Sequence, residues 1–366
     1  PRDSLGHYLL GSLFLECAVD EEDQRLSYRR GELYQIARRA FEMASQSANG
    51  DLDAEDMIAH SYYCEGEAAE GQQKYLCFEK AVKLYEELVT RKGLEGLSTF
   101  TLISYTDSLY ELSHLVRWKE SSGALQRAET VYEFVEKNRE DDYDTSIQVD
   151  RLHNLLMLYG QFQGGWNEAS LLANRTYAIA RNTFDKAPDN ASVMIGLADA
   201  CLCKAAHESS KKAKKLMDRA LELYKQLAES GYEEQYFHKN FGIALQRCVE
   251  LGSGIDKTEL IKSAIWHYQR EESLFGHLPN ISSCIADAFF ALSKVTDDLA
   301  TKRRHLKKAE CILVDCITRN SFINEGEKQN ICYTLGAIKL ELSAVYVQLK
   351  KQVELLEEAI LHLEKA

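Results

Sequence analysis

"EKAVKLYEEL", residues 79–88, sets Ala81 four residues before Tyr85, with Phe78, Leu84 and Leu88 at −3, +3 and +7 from the alanine. These offsets draw one apolar stripe along an α-helix. A lone stripe predicts an amphipathic helix and nothing more. The pair returns, however, as Ala37/Phe41, Ala128/Tyr132, Ala173/Tyr177, Ala220/Tyr224, Ala264/Tyr268, Ala309/Leu313 and Ala359/Leu363. Successive alanines lie 44, 47, 45, 47, 44, 45 and 50 residues apart. So even a spacing over eight copies marks an internal repeat. A small residue at a fixed point of each helix lets a neighbouring helix approach closely, and the large residue one turn later fills the widening gap.

Between these helices lies a second apolar-periodic segment, as in "TFTLISYTDSLYELSHL" (99–115), "SVMIGLADACLCKAA" (192–206) and "ISSCIADAFFALSKV" (281–295). Breakers fall at the unit boundaries (Asn49-Gly50, Gly93, Gly231, Gly276 with Pro279) and inside units (Gly164-Gly165, Gly252-Ser253-Gly254). Each unit therefore predicts a helical hairpin. No β-patterned stretch competes. The fold class expected is all-α: a right-handed superhelical α-solenoid of about eight antiparallel hairpins, continuous over residues 1–366.

The residues resemble the tetratricopeptide-repeat family. Its second-helix signature, an alanine, an aromatic four later and a small residue three beyond, stands as Ala37-Phe41-Ala44 and Ala173-Tyr177-Ala180. Its first-helix signature, a large apolar residue followed by glycine, stands as Ile195-Gly196, Phe241-Gly242 and Leu335-Gly336. Pro188 and Pro279 match a proline closing the second helix. Family units run to about 34 residues, and the additional length here falls mainly between those glycines and the next alanine, which predicts longer first helices or longer inner turns. The family's first-helix tryptophan is absent; Trp118, Trp166 and Trp266 sit elsewhere. HEAT-like arrays share the longer period but do not explain the alanine–aromatic spacing.

The resemblance implies a binding surface on the first helices. Aligning on the glycines selects Lys239, Gln246 and Arg247 in one unit, with Asp287 in the next, and Tyr110, Arg151 and Asn154 in earlier units. Basic and amide groups there would grip a partner's carboxylates by charge-assisted hydrogen bonds. The function expected is a protein-interaction scaffold that binds a peptide segment or domain of another protein in its groove. The alternative is a sensor or autoinhibitory arm of a larger signalling ATPase or protease. The chain opens on Pro1 without an initiator methionine, and "EEAILHLEKA" ends it on an apolar helix. Both features lead us to expect a piece of a larger protein, with flanking domains or end-to-end self-association.

Catalysis is not expected: no phosphate loop, HExxH or GxSxG occurs. Cys203 and His207, four apart, would supply at most half a metal site, and no cofactor is expected. Acidic clusters at 21–25 and 140–144 precede or open helices, where they complement the positive helix end. The formal charge of −13 argues against nucleic acid or an anionic membrane as partner. The basic runs at 211–215 and 301–308 read as solvated helix faces. No run of about 18 apolar residues predicts a membrane span. Ten cysteines without paired spacing fit reduced thiols in a cytoplasmic or nuclear setting.

Overall fold

The computed structural model describes residues 4–19, 27–47, 52–116, 118–161, 165–252, 256–276, 279–319, 325–346 and 349–365. The breaks expected at Asn49-Gly50, Gly164 and Ser253-Gly254, and the acidic stretch 21–25, lie outside them. The described residues form sixteen α-helices in sequential antiparallel pairs and no strand. Chain contacts divide them into two compact units, residues 1–179 and 180–366.

Unit 1 contains α1 (Ser4–Val19), α2 (Ser27–Ser47), α3 (Leu52–Ala68), α4 (Gly71–Lys92), α5 (Thr99–Leu115), α6 (Trp118–Asn138) and α7 (Thr145–Gln161). It also takes most of α8 (Trp166–Lys186), which crosses the boundary. Unit 2 contains α9 (Ala191–Ala205), α10 (Ser210–Glu229), α11 (Phe237–Glu250), α12 (Lys257–Phe275), α13 (Pro279–Lys294), α14 (Leu299–Arg319), α15 (Glu325–Val345) and α16 (Leu349–Lys365). In unit 1 α2, α4 and α6, and in unit 2 α10, α12 and α14, each pack on their own first helix and on the first helix that follows.

All eight motif alanines are buried. In unit 1, Phe78, Ala81 and Tyr85 of α4 join Leu102, Tyr105 and Leu109 of α5 and Tyr132 of α6 in one core, the Tyr85 and Tyr105 rings 5.8 Å apart. In unit 2, Tyr224 of α10 stacks on Phe241 of α11 with centroids 5.3 Å apart. The large residue of the motif also sits directly on the glycine of its own first helix. A Cβ on Gly242 would lie 2.5 Å from Tyr268, and one on Gly336 would lie 2.7 Å from Leu363. Gly11 meets Phe41 in the same way, so Leu10-Gly11 is a further copy of the first-helix signature.

The additional repeat length lies elsewhere than the sequence reading expects. First helices other than α15 have 14–17 residues, whereas α2, α4, α6, α8, α10, α12 and α14 have 19–22. Each motif alanine stands 8–11 residues into its helix, so the second helices start early. Side-chain caps fix several of the starts. Ser98 accepts from the Thr101 N–H at 3.1 Å, and Asn190 from the Val193 N–H at 3.2 Å. Asp144 accepts from the Ile147 N–H at 3.0 Å, as its place before a helix suggests. Gly93 and Gly276 end α4 and α12 at positive φ, where a side chain would be strained. Pro279 does not close α12; it occupies the first position of α13, where its missing N–H leaves no bond unmade.

Candidate functional site

Arg151, expected on an open wall, is 1% exposed. Its Nε and Nη2 donate to Glu129 Oε1 at 2.9 and 2.7 Å, and its Nη1 donates to Glu136 at 2.7 Å and to the Tyr143 hydroxyl at 3.0 Å. Arg175 of α8 also binds Glu129, together with Glu133. Burial works against the Arg151 charge, but Glu129, Tyr143 and Glu136 hold the guanidinium firmly protonated. Asn154 is fully buried and donates to the Leu125 carbonyl at 3.2 Å. Both residues lock α7 onto α6 and are not available to a partner. The register expected for this helix is one residue off: Asp150, next to Arg151, takes the outer position.

The remaining candidates lie nearer the surface. Tyr110 is half-buried, edge-on to His114 with centroids 4.9 Å apart. Lys239 is half-buried, with its Nζ 5.1 Å from the Tyr236 ring centroid. Gln246 is half-buried and accepts from the Tyr268 hydroxyl. Arg247 is exposed and donates to Glu250 at 2.9 Å. Asp287 reaches solvent from a recess: surrounding protein lifts its carboxyl to about 6, while Thr334 and Lys294 pull it back. On α9, Asp199 is likewise raised to about 6 by burial, with Tyr224 and Asn240 donating to it. Cys203 stands in α9, and His207 lies two residues past its end at Ala205.

The group that the sequence reading misses lies in unit 1. Glu67 of α3, Glu111 of α5 and Asp150 of α7 all act on the Asp107 carboxyl of α5, and Glu111 acts on Glu67. Burial raises Asp107 to about 7, with Asp150, Glu67 and Glu111 adding to it. Burial, then Glu111, raises Glu67, and Lys74 partly offsets this. Burial, then Asp144, raises Asp150. Lys74 reaches Glu111 at 3.5 Å, but no described Lys or Arg is ion-paired with Asp107 or Asp150. Tyr110 lies one turn beyond Asp107 and so borders this group. A signal was present in the sequence: Asp107, Asp150, Asp199 and Asp287 stand 21, 23, 21 and 22 residues before their motif alanines.

Charge is divided in the same sense. Residues 1–179 hold 18 Lys and Arg against 31 Asp and Glu, and residues 180–366 hold 26 of each. The whole formal charge of −13 therefore belongs to unit 1.

Sequential antiparallel hairpins, with an alanine at each crossing and a large residue seated on the first helix, define an all-α helical-repeat protein. No family model and no curated protein sequence matches the chain. Among solved structures it is similar to the S. pombe nuclear import adaptor Nro1, at 14% identity and a TM-score of 0.47, over 73% of this chain and 94% of that one. It is also similar to the human IFIT1 dimer with m7Gppp-AAAA, at 13% identity and a TM-score of 0.40, over 92% and 79% of the two chains. A circular tandem repeat protein matches at 17% identity and a TM-score of 0.29, over 99% and 98%. Among the described residues no helix is long and apolar enough to cross a membrane.

Proposed function

We propose that the chain is a protein-interaction scaffold, acting by binding rather than catalysis, and that the first-helix face of unit 1 takes a partner segment carrying Lys or Arg side chains. The observation that carries this reading is the carboxylate group Glu67, Asp107, Glu111 and Asp150, spread over three successive first helices, in which Lys74, on Glu111, is the one ion-paired cation among the described residues. Crowded carboxylates repel one another, and a cation entering among them relieves that repulsion while gaining charge-assisted hydrogen bonds. The field of a unit with a formal charge of −13 draws cationic segments in and raises their association rate. The polarity is the reverse of the one implied by Arg151 and Asn154.

Binding should expel protons from the face. With Asp107 raised to about 7, part of the group is protonated below neutrality and must ionise to pair with a cation. A fluorescent octalysine peptide titrated against the chain tests the reading. Asp107→Asn with Asp150→Asn should weaken it about tenfold, the order expected for two lost charge pairs. Affinity should rise between pH 5.5 and pH 8. The control pair Glu140→Gln and Asp141→Asn, exposed on the turn before α7, should change it little. Equal losses in both double variants, or an octaglutamate peptide that binds as well, would refute the assignment.

A further inference from the structure

The two basic runs of the sequence differ in how the structure holds them. In the run 301–308, on the first half of α14, Lys302 pairs with Glu341 and Lys307 with Glu310, each at 3.1 Å. Arg303, Arg304 and Lys308 are exposed, as is Lys294 at the end of α13. Among the described residues no carboxylate is ion-paired with any of these four. Aromatic rings hold three of them instead. The Arg303 guanidinium stands 4.0 Å from the centroid of the Tyr346 ring, just past α15. Lys308 Nζ lies 4.4 Å from that of Phe289, and Lys294 Nζ 4.1 Å from that of Phe290. His305 also stacks on Phe289, with centroids 6.1 Å apart. Among the described residues the run 211–215 on α10 has no ring beneath it.

A ring face attracts a cation without cancelling its charge, as a carboxylate would. The positive charges therefore stay available, while the rings limit the wandering of long side chains and lower the cost of ordering them around a ligand. Local stability does not account for the run. No Asp or Glu stands in the first turn of α14, and cations near the positive end of a helix are unfavourable. Asp298 is already engaged as the cap of α14. The Thr301 hydroxyl and N–H, then weakly Arg304, keep its carboxyl below the usual range. Burial, then Arg304 and Lys308, holds the His305 imidazole below its ordinary range, so these charges converge on one place.

We propose that this face of unit 2 docks a short Asp- and Glu-rich segment of another protein, whose carboxylates pair with Arg303, Arg304, Lys308 and Lys294. From Arg303 to Lys308 the helix rises about 7.5 Å, the reach of about three extended residues. Two arginines side by side suit carboxylates, which they bind through paired N–H groups. Unit 2 is formally neutral, so its own field does not oppose an acidic segment. Nucleic acid fits less well. A duplex binder making roughly 6–10 phosphate contacts needs more cations than these four. The rings beneath the cations are buried or half-buried, which leaves a base little to stack on.

Fluorescence anisotropy of labelled octaglutamate with the full chain tests the surface. The peptide should bind, though more weakly than octalysine binds the acidic face, because unit 2 has no net field to draw it in. Arg304→Glu with Lys308→Glu should weaken it about tenfold or more. Lys214→Glu with Lys215→Glu, equally exposed on α10, makes the same change of charge and should alter it little. Circular dichroism and the thermal midpoint would verify that both double variants fold. In the unaltered chain, an NMR titration should show the His305 midpoint rise when octaglutamate is bound, since carboxylates offset the neighbouring cations. Equal losses in the two double variants overturn the proposal. So does an absence of binding, or binding that leaves the His305 midpoint in place. A short labelled DNA strand or duplex that binds this surface more tightly than octaglutamate, and is lost with Arg304 and Lys308, would make it a nucleic-acid surface and overturn the proposal too.

Discussion

Gly242 and Gly123 are both helical glycines, yet their surroundings give them opposite roles. A Cβ on Gly242 would stand 2.5 Å from Cε1 and 2.7 Å from Cζ of Tyr268, a ring that is fully buried and has nowhere to retreat. A Cβ on Gly123 would meet nothing within 4 Å. Gly242→Ala should therefore cost about 1–3 kcal/mol through overpacking, less the few tenths to about 1 kcal/mol that alanine's helix propensity returns. Gly123→Ala should stabilise by about 0.5–1 kcal/mol, since only the propensity term acts. Urea denaturation of both variants checks the pair. Similar shifts in the two midpoints would mean that the Gly242–Tyr268 contact does not hold the hairpin. Residues of this kind were legible as a pattern, a large apolar residue before glycine. Their cause was not, because the tyrosine that demands the space lies 26 residues further along the chain.

At the scale of the element, α5 and α7 illustrate what a repeat period can and cannot specify. The period finds the helices and their buried stripes, because burial of one face repeats with the fold. It does not fix which polar residue points outward, since a shift of one position turns a helical side chain by roughly 100°. On α7 that shift exchanges Asp150 for Arg151, whose guanidinium is instead drawn inward by Glu129 and Glu136. Glu129 sits one residue after a motif alanine, a position that is apolar in Val82, Leu221 and Ile265 but polar in Arg38, Asn174 and Glu310. Arg38 and Glu310 are likewise ion-paired, with Glu65 and Lys339. The outward carboxylates have a consequence for stability. Asp107 is raised to about 7 in the folded chain, so between the ordinary carboxylate range and neutrality the native state holds a proton that the unfolded state has released. Its contribution to stability is thus lost as pH rises through that window, and above it the ionised group is destabilising. Asp107→Asn should stabilise the chain by about 1–2 kcal/mol at pH 8, allowing for partial screening by solvent. At pH 4 it should change little. A denaturation midpoint that Asp107→Asn leaves alone at pH 8, or raises equally at both pH values, would count against a strained carboxylate at this place.

Over the whole molecule, packing and charge divide along the same boundary. Residues 1–179 and 180–366 are separate compact units, and the net negative charge lies wholly in the first. In a repeat protein each hairpin is held mainly by its neighbours, so a local defect is felt first in the hairpins that touch it. Gly242 lies in α11, which contacts α10, α12, α13 and α9. The Asp107 carboxylate lies in α5, among α3, α4 and α6. Amide hydrogen exchange separates the two effects. Gly242→Ala should accelerate exchange in α9–α13, with the largest loss of protection in α11 and α12, and should leave α3–α6 near their original rates. Asp107→Asn at pH 8 should slow exchange in α3–α7 and leave α11 and α12 unchanged. Such a result would mean that the helices opened by one substitution form a cooperative group smaller than the chain. Uniform acceleration from α1 to α16 by Gly242→Ala would instead mean that the two units unfold as one. A ligand on the acidic face would then stabilise the distant hairpins as strongly as its own.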